Sequence, residues 1–313
     1  MHQFAAIGEA MVELYHQQEK TLRMSFAGDS LNTAVYLARL FPFTQTKINY
    51  ITLLGTDPYS DMMLAEWQRE GIHTEFIEQL PSKLPGLYLI RTDEKGERTF
   101  YFYRSQSAAR ELFHPAHATK MEAVLPRMNY LYLSNITLAI LEPEKYQRLL
   151  VLLKKAKTNG ATLIFDTNYR PSLWPSIETA RQLTEEIMQW VDTALVTFDD
   201  EQKLFGDSTP EQCVKRLHQF GAKEVVVKCG AEPCVVSVAG EQHWIPARRV
   251  EKVVDTTSAG DAFNAGYLAA RWQNHSPMAA ARYGHALASC VIQYPGAIIP
   301  ADKMPVLFEE HVK

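Results

Sequence analysis

Short apolar runs alternate with amphipathic stretches from end to end of the chain. Runs at 4–7, 48–54, 130–133, 162–165, 194–197, 225–228 and 235–238 read as strands. Between them, apolar residues recur with helical spacing at 31–40, 62–68, 146–157, 181–190, 213–220, 262–272 and 279–291. Uninterrupted apolar strands alternating with helices predict an α/β fold, with a doubly wound, mostly parallel sheet covered by helices on both faces. No internal repeat or low-complexity linker interrupts the pattern, so residues 1–313 read as a single domain.

One stretch breaks the rhythm. Residues 87–92 and 97–104 are rich in β-formers and flank Asp93-Glu94-Lys95-Gly96, which predicts a hairpin with a four-residue loop. That loop would pair Thr92 with Glu97, Ile90 with Thr99 and Tyr88 with Tyr101. Tyr88, Tyr101 and Tyr103 then share one face, and Phe102 shares the other with Arg104, so both sets reach a ligand only through a bulge or strand end near Tyr103. Together with residues 12–26, the segment at about 86–106 predicts a small discontinuous β-flap, or lid. Its aromatics suit a hydrophobic underside, a subunit interface or a ligand contact.

Composition narrows the classes. Hydrophobic residues make up 46% and charged residues 22%, enough for a large buried core, which excludes overall disorder. Lysine and arginine total 32 against 36 acidic residues, so the net charge is 32 − 36 = −4. That balance argues against nucleic acid as a partner, and an anionic ligand must be met by a few placed groups. The cysteines Cys213, Cys229, Cys234 and Cys290 show no C-x-x-C spacing, against both a disulfide framework and a structural zinc site. The first residues lack a basic-then-apolar leader, and no apolar run is long enough to cross a bilayer. The expected compartment is the cytoplasm, with no membrane partner.

The chemistry gathers where strands run into helices. In Val253-Val254-Asp255-Thr256-Thr257-Ser258-Ala259-Gly260-Asp261, a small polar loop opens an alanine-rich helix whose unpaired N–H groups and dipole suit an anion. Asp261 in that first turn is placed to accept a hydroxyl proton during attack on phosphorus. Ser258-x-x-Asp261 also fits a capping box, which needs no catalysis. At Gly28-Asp29-Ser30-Leu31-Asn32, Asp29 and Asn32 suit substrate hydroxyls, or Asp29 and Ser30 simply cap the helix. Asp166, Asn168 and Arg170 follow a buried strand, on the ligand-bearing edge of an open sheet, and Lys228 and Gly230 end another. For Arg170 a surface ion pair is the bland alternative. No G-x-x-x-x-G-K-[ST] loop is present, which excludes a P-loop enzyme.

Taken together, these motifs resemble the ribokinase-like (PfkB-type) carbohydrate kinases. The resemblance is carried by Asp255-Thr-Thr-Ser-Ala-Gly-Asp261-Ala-Phe263, Gly28-Asp29-Ser30-Leu31-Asn32-Thr33-Ala34, Gly55-Thr56-Asp57, Asp166-x-Asn168-x-Arg170 and Val227-Lys228-x-Gly230. It covers essentially the whole chain. It implies transfer of the ATP γ-phosphoryl to a sugar hydroxyl, with Asp261 as base and the N–H groups of Ala259, Gly260 and Asp261 as anion hole. Within the family, Leu84-Pro85-Gly86-Leu87-Tyr88, Gly96-Glu97-Arg98-Thr99-Phe100-Tyr101, Asn168-Tyr169-Arg170-Pro171-Ser172-Leu173-Trp174 and Tyr294-Pro295-Gly296-Ala297 are similar to members that phosphorylate 2-keto-3-deoxygluconate on its 6-hydroxyl. Arginine forks at Arg104 and Arg170 suit a sugar carboxylate.

The resemblance further implies a sugar site of Gly28, Asp29, Asn32, Tyr88, Phe102, Tyr103, Arg104 and Arg170. It implies an ATP side of Asn168, Lys228, Gly230, Ser258, Ala259 and Gly260, with His285 near the adenine or simply packed. The family's Asn-x-x-Glu motif is degraded to Thr197-Phe198-Asp199-Asp200-Glu201, which leaves Asp200 or Glu201 to hold a water on Mg2+. A homodimer or higher homo-oligomer through the β-flap is expected. A fructokinase or ribokinase of the same fold, and a non-catalytic sugar-sensing protein, remain as alternatives.

Overall fold

The computed structural model describes residues 2–18, 20–40, 46–92 and 98–308. Its first elements are β1 (His2–Ile7), β2 (Met11–Gln18), β3 (Thr21–Ala27), α1 (Asp29–Leu40), β4 (Thr46–Ile51) and β5 (Leu53–Gly55). There follow α2 (Pro58–Arg69), β6 (Glu78–Leu80), β7 (Gly86–Thr92), β8 (Arg98–Tyr103), α3 (Thr119–Val124), β9 (Tyr130–Ser134) and α4 (Asn135–Ala139). Next come α5 (Pro143–Thr158), β10 (Thr162–Asp166), α6 (Ile177–Met188), β11 (Thr193–Thr197), α7 (Phe198–Phe205) and α8 (Pro210–Phe220). The described chain closes with β12 (Glu224–Lys228), β13 (Cys234–Val238), β14 (Glu241–Ile245), α9 (Ala259–Trp272) and α10 (Pro277–Val291).

An eight-stranded sheet runs in the order β14-β13-β12-β11-β10-β9-β1-β4, parallel from β4 to β12 and antiparallel at β13 and β14. Alternate side chains enter cores on opposite faces. Ala5, Ile7, Leu131, Leu133, Leu163, Phe165, Val225 and Val227 pack on one side, and Phe4, Ala6, Tyr132, Ile164 and Val226 on the other. Burial on both faces is why these strands read as uninterrupted apolar runs. From β1 the chain passes to β4 on one side and later to β9 on the other. The order therefore reverses beside β1, which places a ligand crevice at the carboxyl ends of β1, β9, β10 and β12.

A separate four-stranded sheet, β3-β2-β7-β8, joins the two distant segments that the sequence pattern grouped. Its hairpin register differs from expectation by one residue: Tyr88 faces Phe102, Leu89 faces Tyr101 and Ile90 faces Phe100. The predicted loop Asp93-Glu94-Lys95-Gly96 lies outside the described residues, and Thr92 pairs with Arg98 rather than Glu97. Side chains alternate with period two, so the one-residue shift moves Phe102 to the face of Tyr88 and leaves Tyr101 and Tyr103 on the opposite one. No bulge near Tyr103 is then required.

Two other expectations are corrected. The run at 48–54 breaks at Thr52 into β4 and β5, and β5 pairs with β6 in its own two-stranded sheet. Strand β14 and helix α7 were not expected: β14 is an edge strand exposed at four of its five positions, and α7 follows β11 with no intervening turn.

Candidate active site

Asp261 stands in the first turn of α9, buried, and its Oδ2 accepts a hydrogen bond from Asn32 Nδ2 at 2.8 Å. The Asn32 side chain also accepts from the Gly28 N–H at 3.3 Å, so Asn32 ties the Gly28–Asp29 turn to the candidate base. Burial pushes the Asp261 carboxyl up to about 7, and the neighbouring Asp29 and Asp166 carboxylates add to this against Asn32 and Lys228. A carboxylate with that affinity for protons suits a general base at neutral pH. The capping-box alternative does not hold. Ser258 is left-handed (φ 64°), makes no cap to the helix, and its buried Oγ has no hydrogen-bond partner among the described residues. A serine in that conformation and an uncapped helix start mark a strained junction that something other than helix stability maintains.

Beneath Asp261 a polar network runs across the carboxyl ends of the strands. Lys228 Nζ at the end of β12 donates to Asp166 Oδ2 and to Asn264 Oδ1, both at 2.9 Å. Asn264 Nδ2 donates to Asp166 Oδ2 at 2.7 Å and to the Tyr132 hydroxyl at 3.0 Å. That hydroxyl lies 3.3 Å from Thr33 Oγ1 on α1. Asp29 accepts from Ser134 Oγ and, at 3.0 Å, from Asn168 Nδ2. Asn168 is itself left-handed (φ 28°), and its amide bonds Asp29 rather than facing Lys228.

One face of the four-stranded sheet carries Tyr88 with Phe100 and Phe102, the latter two 40% and 51% exposed. Tyr88 packs with Met11, Ala27, Ile90 and Ala297, and its hydroxyl donates to Glu13, which also accepts from Ser25 Oγ at 2.7 Å. Phe102 packs tilted against Tyr88, 5.5 Å between centroids, and the Arg104 guanidinium lies 5.9 Å from the Phe102 ring. Arg104 is buried and donates from Nε and Nη2 to Glu9 Oε2, the former at 2.7 Å. Tyr103 points to the other face and is 66% exposed. The structure does not bring Arg104 and Arg170 onto a shared partner. Arg170 is half-exposed and reaches Asp200 at 3.3 Å, the ion pair that the sequence left as its bland alternative.

On the other side of α9, a methyl placed on Gly260 would lie 3.5 Å from Lys228 Nζ, so the helix start and the lysine adjoin. The Ala259 N–H is taken by the Thr256 carbonyl at 3.2 Å, which removes it from the expected anion hole. Gly230 turns the chain just past β12 with φ 61°. His285 is buried edge-on to Phe263, 5.0 Å between centroids, and its Nε2 has no hydrogen-bond partner among the described residues. Burial holds its basicity below the usual imidazole range. Glu201 does not suit a magnesium site: it is fully buried and accepts from Thr167 Oγ1 and, at 2.5 Å, from Arg216 Nη2. Asp200 is engaged only by Arg170 among the described residues.

Sequence reasoning missed Glu9, Glu13, Tyr132, Ser134 and Asn264. Position carried the available signal. Glu9 lies two residues past the end of β1, Ser134 ends β9, and Asn264 follows Asp261 by one helical turn. Among the described residues no helix is long and apolar enough to cross a membrane.

Comparison with known proteins adds to this geometry. The sequence profile of "pfkB family carbohydrate kinase" matches residues 1–304. A 2-dehydro-3-deoxygluconokinase of Dickeya dadantii is 47% identical over 96% of this chain and 98% of its own length. The 2-dehydro-3-deoxygluconokinase of Escherichia coli K12 is 45% identical with the same coverage. A candidate Ribokinase II from Escherichia coli, solved in complex with ATP and Mg2+, superimposes with a TM-score of 0.83. It covers 98% of this chain and 96% of that one at 22% identity, a likeness that speaks to the fold alone.

Proposed function

This chain belongs to the pfkB family of carbohydrate kinases, and from that premise we propose that it phosphorylates 2-dehydro-3-deoxygluconate (2-keto-3-deoxygluconate) with ATP. The products are 2-keto-3-deoxy-6-phosphogluconate and ADP. The observation that carries the reading is near-full-length similarity, at 45–47% identity, to two proteins of that name. The geometry supports the reaction type. Asp261 takes the proton of the sugar 6-hydroxyl as its oxygen bonds to the γ-phosphorus, and the bond from that phosphorus to the bridging β-phosphate oxygen breaks, releasing ADP. The uncapped start of α9 at Gly260 and Asp261, with Lys228 beside it, faces the phosphates, and His285 with Phe263 serves the adenine side.

Magnesium bound with ATP neutralises phosphate charge, and Asp200 is the carboxylate that suits it, Glu201 being spent on Thr167 and Arg216. The sugar lies between Asp29, Asn32, Tyr88 and Phe102, with Arg104 donating to its carboxylate. We also take the protein to be a homodimer joined through the outer face of the four-stranded sheet. We place it in the cytoplasm, where its four unpaired cysteines stay reduced, a location that cell fractionation checks.

ADP release with 2-dehydro-3-deoxygluconate, fructose and ribose tests the reaction. The sugar acid is expected to win in kcat/KM by about a hundredfold or more, as a site built to pair a carboxylate discriminates against sugars without one. Preference for fructose or ribose would make the chain a neutral-sugar kinase. No ADP release with any sugar would make it a sugar sensor.

A further inference from the structure

Glu9 is fully buried at the mouth of the crevice, and one of its oxygens, Oε1, has no hydrogen-bond partner among the described residues. The other, Oε2, takes both Nε and Nη2 of Arg104, while Nη1 makes no hydrogen bond among the described residues. Two glycines are shaped around this residue. A methyl on Gly28 would lie 2.2 Å from the Glu9 carbonyl oxygen, and one on Gly86 would lie 2.8 Å from Glu9 Oε1 and 3.2 Å from Arg104 Cβ. Glu9 therefore touches the Gly28–Asp29 turn, the entry to β7 and the buried arginine at once, from a position 95 residues away from Arg104 in sequence.

A buried arginine without a partner is costly, and an unpaired one would settle wherever it found an acceptor. We propose that Glu9 is the positioning residue for sugar recognition: it fixes Arg104 in the free enzyme so that the remaining guanidinium edge meets the substrate carboxylate. The proposal rests on the sugar-acid reading above. Glu9 would act on the sugar side alone, since the nucleotide side lies across Asp261 at Lys228 and Gly260.

Steady-state kinetics of Glu9→Ala, Arg104→Ala and the double variant test this, with thermal unfolding alongside. Glu9→Ala should raise KM for the sugar acid by about tenfold or more with KM for ATP unchanged, and it should add less than about twofold in the Arg104→Ala background. Glu9→Gln, which keeps an acceptor oxygen, should recover most of the loss. Gly86→Ala, whose methyl would crowd Glu9 Oε1 at 2.8 Å and Met11 Cγ at 2.9 Å, should give the sugar-selective loss with both charges in place, and Met11→Ala in that background, which frees the methyl of its second contact, should leave the loss unchanged. A sugar KM unchanged in Glu9→Ala and Gly86→Ala, or effects of Glu9 and Arg104 that multiply in full, would overturn the role of Glu9 while leaving the kinase reading intact. A wild-type chain inactive on every sugar acid would overturn both.

Discussion

Asp261 ionises in the folded protein only near pH 7, because burial and the adjacent Asp29 and Asp166 carboxylates disfavour its charged form. The same group in the unfolded chain ionises near its ordinary value of 3.8. Between those two values the folded state holds a proton that the unfolded state has released, so raising the pH through that window lowers stability. Asp261→Asn removes the penalty. Its melting temperature should exceed that of the wild type at pH 8, by about 2 °C or more, and the difference should vanish near pH 4. Turnover should fall by about two to four orders of magnitude with little change in sugar affinity. In the wild type, kcat/KM for the sugar should climb through about pH 7 and then level, since the charged form is the base. A flat profile, or an active Asp261→Asn, would remove Asp261 as the base. The motif around Asp261 was legible because its small residues and carboxylate fall within seven positions, 255–261. What the motif could not show was whether Ser258 caps the helix, which depends on a single backbone angle.

Between elements, α7 and α8 are locked to the loop after β10 by one partly buried arginine. Arg216 lies 3.9 Å from the Phe205 ring and 5.4 Å from the Phe220 ring, and it pairs with both Glu201 and Asp207. Glu201 in turn accepts from Thr167, which sits between Asp166 and the left-handed Asn168. Arg216→Met keeps the packing volume but leaves two buried carboxylates without their cation. It should destabilise the fold by about 3–5 kcal/mol in urea unfolding, with loss of turnover at temperatures where the variant remains folded. Stability within about 1 kcal/mol of wild type would show that the network does not hold the loop. This link explains what was misread at Glu201. The Thr197–Glu201 stretch carries carboxylates in the order of a metal motif, but charge order says nothing about which partner a helix turns toward. The central strands were legible because burial on both faces keeps their middle positions apolar, with polar residues only at their ends. The exposed β14 offered no such contrast, and the hairpin register hung on a loop length that composition does not set.

For the whole molecule, the question is what covers the outer face of the four-stranded sheet. Leu14, Leu87 and Leu89 lie on that face with Met24 and Leu22, and the register adds Tyr101 and Tyr103. Val12 and Phe26 of that face are buried in the main core, and Leu14, Met24 and Leu87 pack against it, but Leu22 is 42%, Tyr101 49% and Tyr103 66% exposed, so apolar side chains on that face remain open. The shift in register is what separates this surface from the pocket. Tyr88, Phe100 and Phe102 share the inner face, so one sheet can serve substrate on one side and a second copy on the other. The sequence showed an aromatic flap, but it could not assign its two faces until pairing fixed which residues alternate inward. A sheet face of this kind pairs readily with its own symmetry mate, since the same residues meet across a two-fold axis. Sedimentation should therefore find a species of about twice the 35.6 kDa chain mass in the wild type. Leu22→Lys with Tyr101→Lys places like charges opposite one another across that axis and should shift the protein toward the monomer. A wild-type monomer at micromolar concentration, or a dimer indifferent to both lysines, would move the interface away from this face.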